Sequence, residues 1–116
     1  MKKLLTVAVA AMTLAGTVNA QTITGDAKAA EAKVAMCIGC HAIPGYRASF
    51  PEIYSVPLLG GQNAGYIVSA LQAYKKGDRK HPTMRSIAAS LSDQDMADIS
   101  EYYAAQTSAT TINKLK

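Results

Sequence analysis

The stretch Met36-Cys37-Ile38-Gly39-Cys40-His41-Ala42, MCIGCHA, sets two cysteines three positions apart and follows the second with a histidine. At helical spacing, positions 37, 40 and 41 fall to one side of the backbone. Three chemistries use such a group: a redox dithiol, part of a zinc site, or covalent attachment of a prosthetic group. A redox Cys-x-x-Cys belongs to a βαβ setting, and no alternating strand pattern persists here for more than a few residues. A structural zinc site takes four ligands. The chain offers Cys37, Cys40, His41 and His81, but the neighbours Cys40 and His41 leave the backbone in different directions, and there is no second ligand pair.

The first twenty residues read as a leader. Lys2 and Lys3 make a positive start, Leu4 to about Gly16 is an uncharged apolar run, and Val18-Asn19-Ala20 puts small residues at the positions a signal peptidase reads. The run is shorter than the roughly 20 apolar residues that span a bilayer. The expectation is a secretory signal peptide over residues 1–20, cleaved after Ala20, with residues 21–116 forming one domain in the periplasm. Cleavage takes two of the twelve basic residues and leaves ten against eight acidic ones, a formal +2 in place of +4. Such a mild excess, with no recognisable binding motif, argues against a nucleic-acid partner. Export also places Cys37 and Cys40 in an oxidising compartment, where free thiols become disulfides or are captured by other chemistry.

Helical periodicity organises the remainder. Asp26 to Gly39 reads as a helix capped by Asp26, with Ala27, Ala30, Val34 and Cys37 on one face and His41 next in the same register. Residues 42–61 hold Pro44, Pro51 and Pro57 with Gly45, Gly60 and Gly61, and read as an irregular loop. Asn63 caps a second helix with the stripe Ile67, Ala70, Leu71 and Tyr74, closed by Gly77. Residues 78–83 form a charged loop, followed by a short helix from Met84 to Ala89 with Ile87 inward. Ser92 and Asp95 form a capping box before a last helix with Met96, Ile99 and Tyr103 on its inner face. The fold class expected is all-α, with long loops. A domain of this size has a limited core, and with no tryptophan and one phenylalanine, Phe50, it would gain much from a large apolar cofactor.

Cys-x-x-Cys-His is the attachment pattern for c-type haem. Two sulfurs on one helical face suit the two vinyl groups, and the imidazole beside them reaches the iron. Covalent capture also fixes both thiols permanently in an oxidising compartment.

The segments CIGCH, PLLGGQ, YKKGDR, a methionine soon after, and LSDQDMADISEYYAAQ together resemble the class I c-type cytochromes, in particular the short bacterial periplasmic kind. The resemblance covers about residues 25–106, and its pieces occur in order with suitable spacing. It implies the cytochrome c fold of about four helices around one covalently attached haem c. Cys37 and Cys40 would then form the thioethers, His41 the proximal iron ligand and Met84 the distal one. The ordinary job of a methionine is to fill core, and His81 is a rival distal ligand three residues before Met84, in what reads as a polar, exposed turn. Pro57 sits where the family has a proline whose carbonyl accepts the proximal imidazole's other N–H. Leu59, Tyr66, Ile67, Leu71 and Ile87 would line the pocket. Ala42 and Ala30 depart from the family, which commonly has glycine at both places; at Ala30 this implies a slightly wider crossing of the first and last helices.

With both axial positions filled by protein, the iron has no open site, which suits electron transfer and not catalysis. The resemblance implies a periplasmic carrier of single electrons between redox proteins, with docking to membrane-bound respiratory complexes among its uses, as a monomer or within a hetero-complex. The alternatives are a haem subunit of a larger periplasmic oxidoreductase and a haem-based gas sensor. Lys75, Lys76, Arg79, Lys80 and Arg85 cluster around the expected distal loop, while Asp93, Asp95, Asp98 and Glu101 lie on the last helix. A basic cluster at the haem edge would steer an acidic partner there; otherwise it is a solvated face.

Overall fold

The computed structural model describes residues 22–49 and 52–107. The leader expected over residues 1–20 and Phe50 lie outside the described residues. Four α-helices carry the architecture: α1 Ala35–His41, α2 Ala64–Lys76, α3 Pro82–Ala89 and α4 Asp93–Ala104. Between α1 and α2 a two-stranded antiparallel ladder, β1 Arg47–Ala48 with β2 Tyr54–Ser55, pairs Arg47 with Ser55 and Ala48 with Tyr54. The expected all-α class holds. Among the described residues, no helix is long and apolar enough to cross a membrane.

The first helix differs in detail from the expected span 26–39. Asp26 does start the helical path, its Oδ1 accepting the Lys28 N–H at 2.8 Å. The chain then passes through a 3₁₀ turn, Ala29–Ala32, before α1 begins at Ala35 and runs two residues past Gly39. Ala30, Val34 and Cys37 are buried in the common core, as their spacing requires. The tighter turn re-aims the helix while keeping this inner face.

The segment 42–61 was expected to be irregular. The ladder gives it a short frame, extended by the Val56 N–H donating to Tyr46 O at 3.0 Å. Helix α2 forms where its signals stand: Asn63 Oδ1 accepts from Tyr66 N at 3.0 Å, and Gly77 ends the helix at φ 92°, where a side chain would be strained. Helix α3 begins two residues earlier than the expected Met84. His81 is its cap and Pro82 occupies the first turn, where the missing N–H costs nothing. In α4 the capping box is complete, the Ser92 hydroxyl and the Asp95 carboxylate each accepting from the other's backbone.

The core joins α1, α2 and α4 around Met96, Ile99 and Tyr103, none more than 2% exposed. Two contacts bind the N-terminal segment to α4. Gly25 lies so close to Ala97 O that a β-carbon there would collide with it. The close approach that the family's first-helix glycine suggested is thus made at Gly25, while Ala30 packs fully buried without it. Asp98, one of the acidic residues on the last helix, is 2% exposed. Its carboxylate accepts from Asp26 N at 2.8 Å, Gln94 Nε2 at 2.8 Å and Lys33 Nζ at 2.9 Å. These partners cover it in a thin layer, so it is hidden from water without being deep in apolar material.

A cavity bearing imidazole, thioether and thiol

A cavity of about 350 Å³ opens between α1, the loop, α2 and α3. Helix α1 contributes Met36, Cys40 and His41 to its wall; the loop contributes Tyr54, Pro57 and Leu59. Tyr66, Ile67, Leu71 and Tyr74 come from α2, and Met84 and Ile87 from α3. Every pocket residue expected from the resemblance therefore lines this cavity, as do His41 and Met84. Cys37 is the exception: it lies behind the wall, 9% exposed, in the core with Tyr103. Both cysteines are free thiols. Burial pushes the Cys37 thiol up, partly opposed by the neighbouring Tyr103 hydroxyl.

The imidazole of His41 is oriented from behind. Its Nδ1 lies 2.7 Å from the carbonyl oxygen of Pro57. A carbonyl only accepts, so Nδ1 carries the proton and the lone pair is left on Nε2, the form a metal-ligating histidine takes.

His81 is not the exposed turn residue expected. It is half-buried and on the cavity wall. Its Nδ1 accepts the Met84 N–H at 3.4 Å, a long and weak cap. Its ring meets Tyr54 edge-on at 5.4 Å and Tyr74 at 6.5 Å. The cap uses the Nδ1 lone pair and the aromatic edges confine the ring, so the residue is already engaged by α3 and its neighbours.

Arg79, one of the basic cluster expected around the distal loop, is exposed and also stands on the cavity wall. Its guanidinium lies 4.8 Å over the Tyr74 ring and Nη1 donates to Tyr66 Oη at 3.4 Å. Burial pushes the Tyr74 hydroxyl up, and Arg79 partly offsets this. Lys75 belongs to the same cluster, its ammonium donating to Leu91 O at 2.5 Å. Tyr54 and Arg79 escape a reading of periodicity because Tyr54 sits in a two-residue strand and Arg79 in a loop, where no register assigns a face.

The donor set fits a c-type haem. The cavity is large and mainly apolar, one wall carries an imidazole with a fixed tautomer, and α3 brings a neutral thioether to the same space. The two thiols bracket the end of α1. Comparison with known proteins agrees. The family model described as Cytochrome c matches residues 26–105. The chain is similar to cytochrome c-554(548) of Halomonas halodenitrificans, 42% identical over 85 residues that cover 71% of this chain and 98% of that one. It is 37% identical over 106 residues to cytochrome c4 of Pseudomonas aeruginosa, covering 91% of this chain and 49% of that protein. The crystal structure of reduced recombinant cytochrome c4 from Pseudomonas stutzeri superposes with a TM-score of 0.58 at 35% identity, covering 72% of this chain and 47% of that one. The chain thus spans about half the length of these cytochrome c4 relatives.

Proposed function

The chain belongs to the cytochrome c family, and from that premise we propose that it is a periplasmic electron carrier with Cys37 and Cys40 as the thioether anchors, His41 as proximal ligand and Met84 as distal ligand. Its fold is the all-α cytochrome c fold, its cofactor covalently bound haem c, and its function haem-based electron transfer. When bound, the haem iron supplies reversible one-electron chemistry; the chain supplies position, ligation and polarity.

The observation that carries the reading is the 2.7 Å contact from His41 Nδ1 to Pro57 O beside a cavity that also receives Met84. It presents His41 as a pre-oriented neutral donor. The Met84 thioether favours ferrous iron relative to a second imidazole, and the apolar wall works in the same direction, so a comparatively high reduction potential is implied. Ligands from α1 and α3, both packed on the core, would hold six-coordination in either oxidation state with little rearrangement. A protein so arranged offers no open coordination site, which supports carriage over catalysis and over gas sensing. The periplasmic placement is supported by the leader-like pattern of residues 1–20.

Mass spectrometry of exported protein tests this. The chain from about Gln21 plus one haem, resistant to acid-acetone, is the expected result. A Cys37–Cys40 disulfide without haem mass refutes it, and copurification with a catalytic chain favours the subunit reading.

A further inference from the structure

Among the described residues, the hydroxyl of Tyr103 is the one buried side-chain oxygen or nitrogen without a hydrogen-bond partner. The residue is 1% exposed and is the largest fully buried side chain of the core. Buried hydroxyls nearly always find a partner, so an orphan in this position asks what would satisfy it.

The hydroxyl is held where it stands. The Tyr103 carbonyl accepts from Gly61 N at 2.8 Å and from Gln106 N at 3.1 Å, which fixes the end of α4. The Tyr102 ring meets the Tyr103 ring edge-to-face at 5.3 Å and 87°. The hydroxyl of Ser100, also buried on α4, donates to Met96 O at 2.6 Å. Cys37 is buried in the same core cluster, and its sulfur and the Tyr103 hydroxyl are near enough for each to shift the other's ionisation, although the two make no hydrogen bond while Cys37 is a thiol. Burial pushes the ionisation of the Tyr103 hydroxyl far above the usual range, so it is a phenol, and a donor, at every working pH.

We propose that Tyr103 is a positioning residue whose hydroxyl donates a hydrogen bond to the sulfur of Cys37 once that sulfur is a thioether. The inference rests on the attachment role given to Cys37 above. A thiol carries its own proton and competes to donate; a thioether has none and only accepts. Attachment therefore converts Cys37 into the complement of the orphan. The bond would hold that sulfur at one orientation and draw electron density from the ring system to which it is joined. Hydrogen bonds to atoms around a redox centre are among the levers that set its potential.

The test uses holoprotein and the near-isosteric Tyr103→Phe variant, after mass spectrometry has established that Cys37 carries the haem. Resonance Raman spectra of the wild type should show a carbon–sulfur stretching band that shifts on transfer to D2O. In Tyr103→Phe that band should move and lose its isotope sensitivity, and the reduction potential should fall. The melting midpoint should drop by roughly 4–8 °C, the size expected for one hydrogen bond in a domain this small. A Phe variant that melts higher, with band and potential unchanged, would show a true orphan and overturn the proposal. A shifted potential with an unmoved carbon–sulfur band would place the partner elsewhere and overturn it equally. Cys37 found free in otherwise intact holoprotein would overturn the attachment and the inference together.

Discussion

The imidazole of His41 is tied by Nδ1 to the carbonyl of Pro57 at 2.7 Å, across sixteen positions of chain. The contact couples the end of α1 to the loop that closes the cavity, and makes the tautomer of His41 a property of the fold. It predicts a slowly exchanging Nδ1 proton in the NMR spectrum of the holoprotein. Pro57→Gly, which frees the loop, should speed its exchange and raise the reduction potential, because a hydrogen-bonded imidazole is the more basic donor and favours ferric iron. Unchanged exchange and potential would mean that the loop is held without the proline.

Met84 and His81 are separable by spectrum and stability. Met84→Ala should abolish the weak sulfur-to-iron absorption band at the red end of the ferric spectrum, admit carbon monoxide to the ferrous form and lower the potential. His81→Ala should leave the band in place and destabilise α3 by about 0.5 kcal/mol, the low end for an N-cap, because its contact with Met84 N is long. The reverse pattern would make His81 the ligand, and carbon monoxide binding to the unmodified protein would favour the sensor.

Acid stability should report the latch between α4 and the N-terminal segment. Lys33 beside Asp95, together with the Ser92 cap, holds the Asp95 carboxyl well below the usual carboxylate range. Lys33 likewise lowers Asp98, helped by the Asp26 N–H. Both groups release their protons more readily when folded, so their contribution is present above about pH 4 and is lost as pH falls through the lowered values. The melting midpoint should therefore be flat near neutrality and fall below about pH 4. Asp98→Asn should flatten that acid limb and lower the neutral midpoint by at least roughly 4–8 °C, since Lys33 loses its charged partner there. An identical acid limb in wild type and variant would exclude Asp98 from the latch.

Much of this was legible from local rules. Ser92, Asp95 and Asn63 act through neighbours three residues away, so spacing alone reveals the caps; Met96, Ile99 and Tyr103 share a helical face, so periodicity reveals their burial. The two-residue strands are too short to alternate. His81 was misjudged because a histidine before proline reads as a turn, whereas Pro82 in the first turn makes that same position a helix cap. Gly25 and Asp98 depend on contacts across about seventy positions, which no local pattern encodes. Arg79 shows the other limit: it is exposed, as its charge predicts, but charge does not reveal that the Tyr74 ring under its guanidinium also holds it on the cavity wall.

The exposed basic residues carry a prediction about where a redox partner docks. All five residues of the cluster are exposed; Lys75 is also bound to Leu91 O and Arg79 to the tyrosines, which leaves Lys76, Lys80 and Arg85. Lys80 lies between Arg79 and His81, both on the cavity wall, so its charge stands at the rim. No residue of α4 lines the cavity, and its exposed acids Asp93 and Glu101 are therefore away from it. A partner with an acidic face would approach the rim and not α4, through a small and transient contact. Lys76→Glu with Lys80→Glu should slow reduction by such a partner roughly 10-fold or more at low salt, while leaving the haem spectrum intact. Raising ionic strength from about 0.01 M to 0.15 M shortens the screening length from about 30 Å to 8 Å, and should slow the wild type and speed the variant until the two converge. Equal rates at low salt would leave these lysines as a solvated face and move docking to the exposed apolar lining around Tyr54 and Leu58.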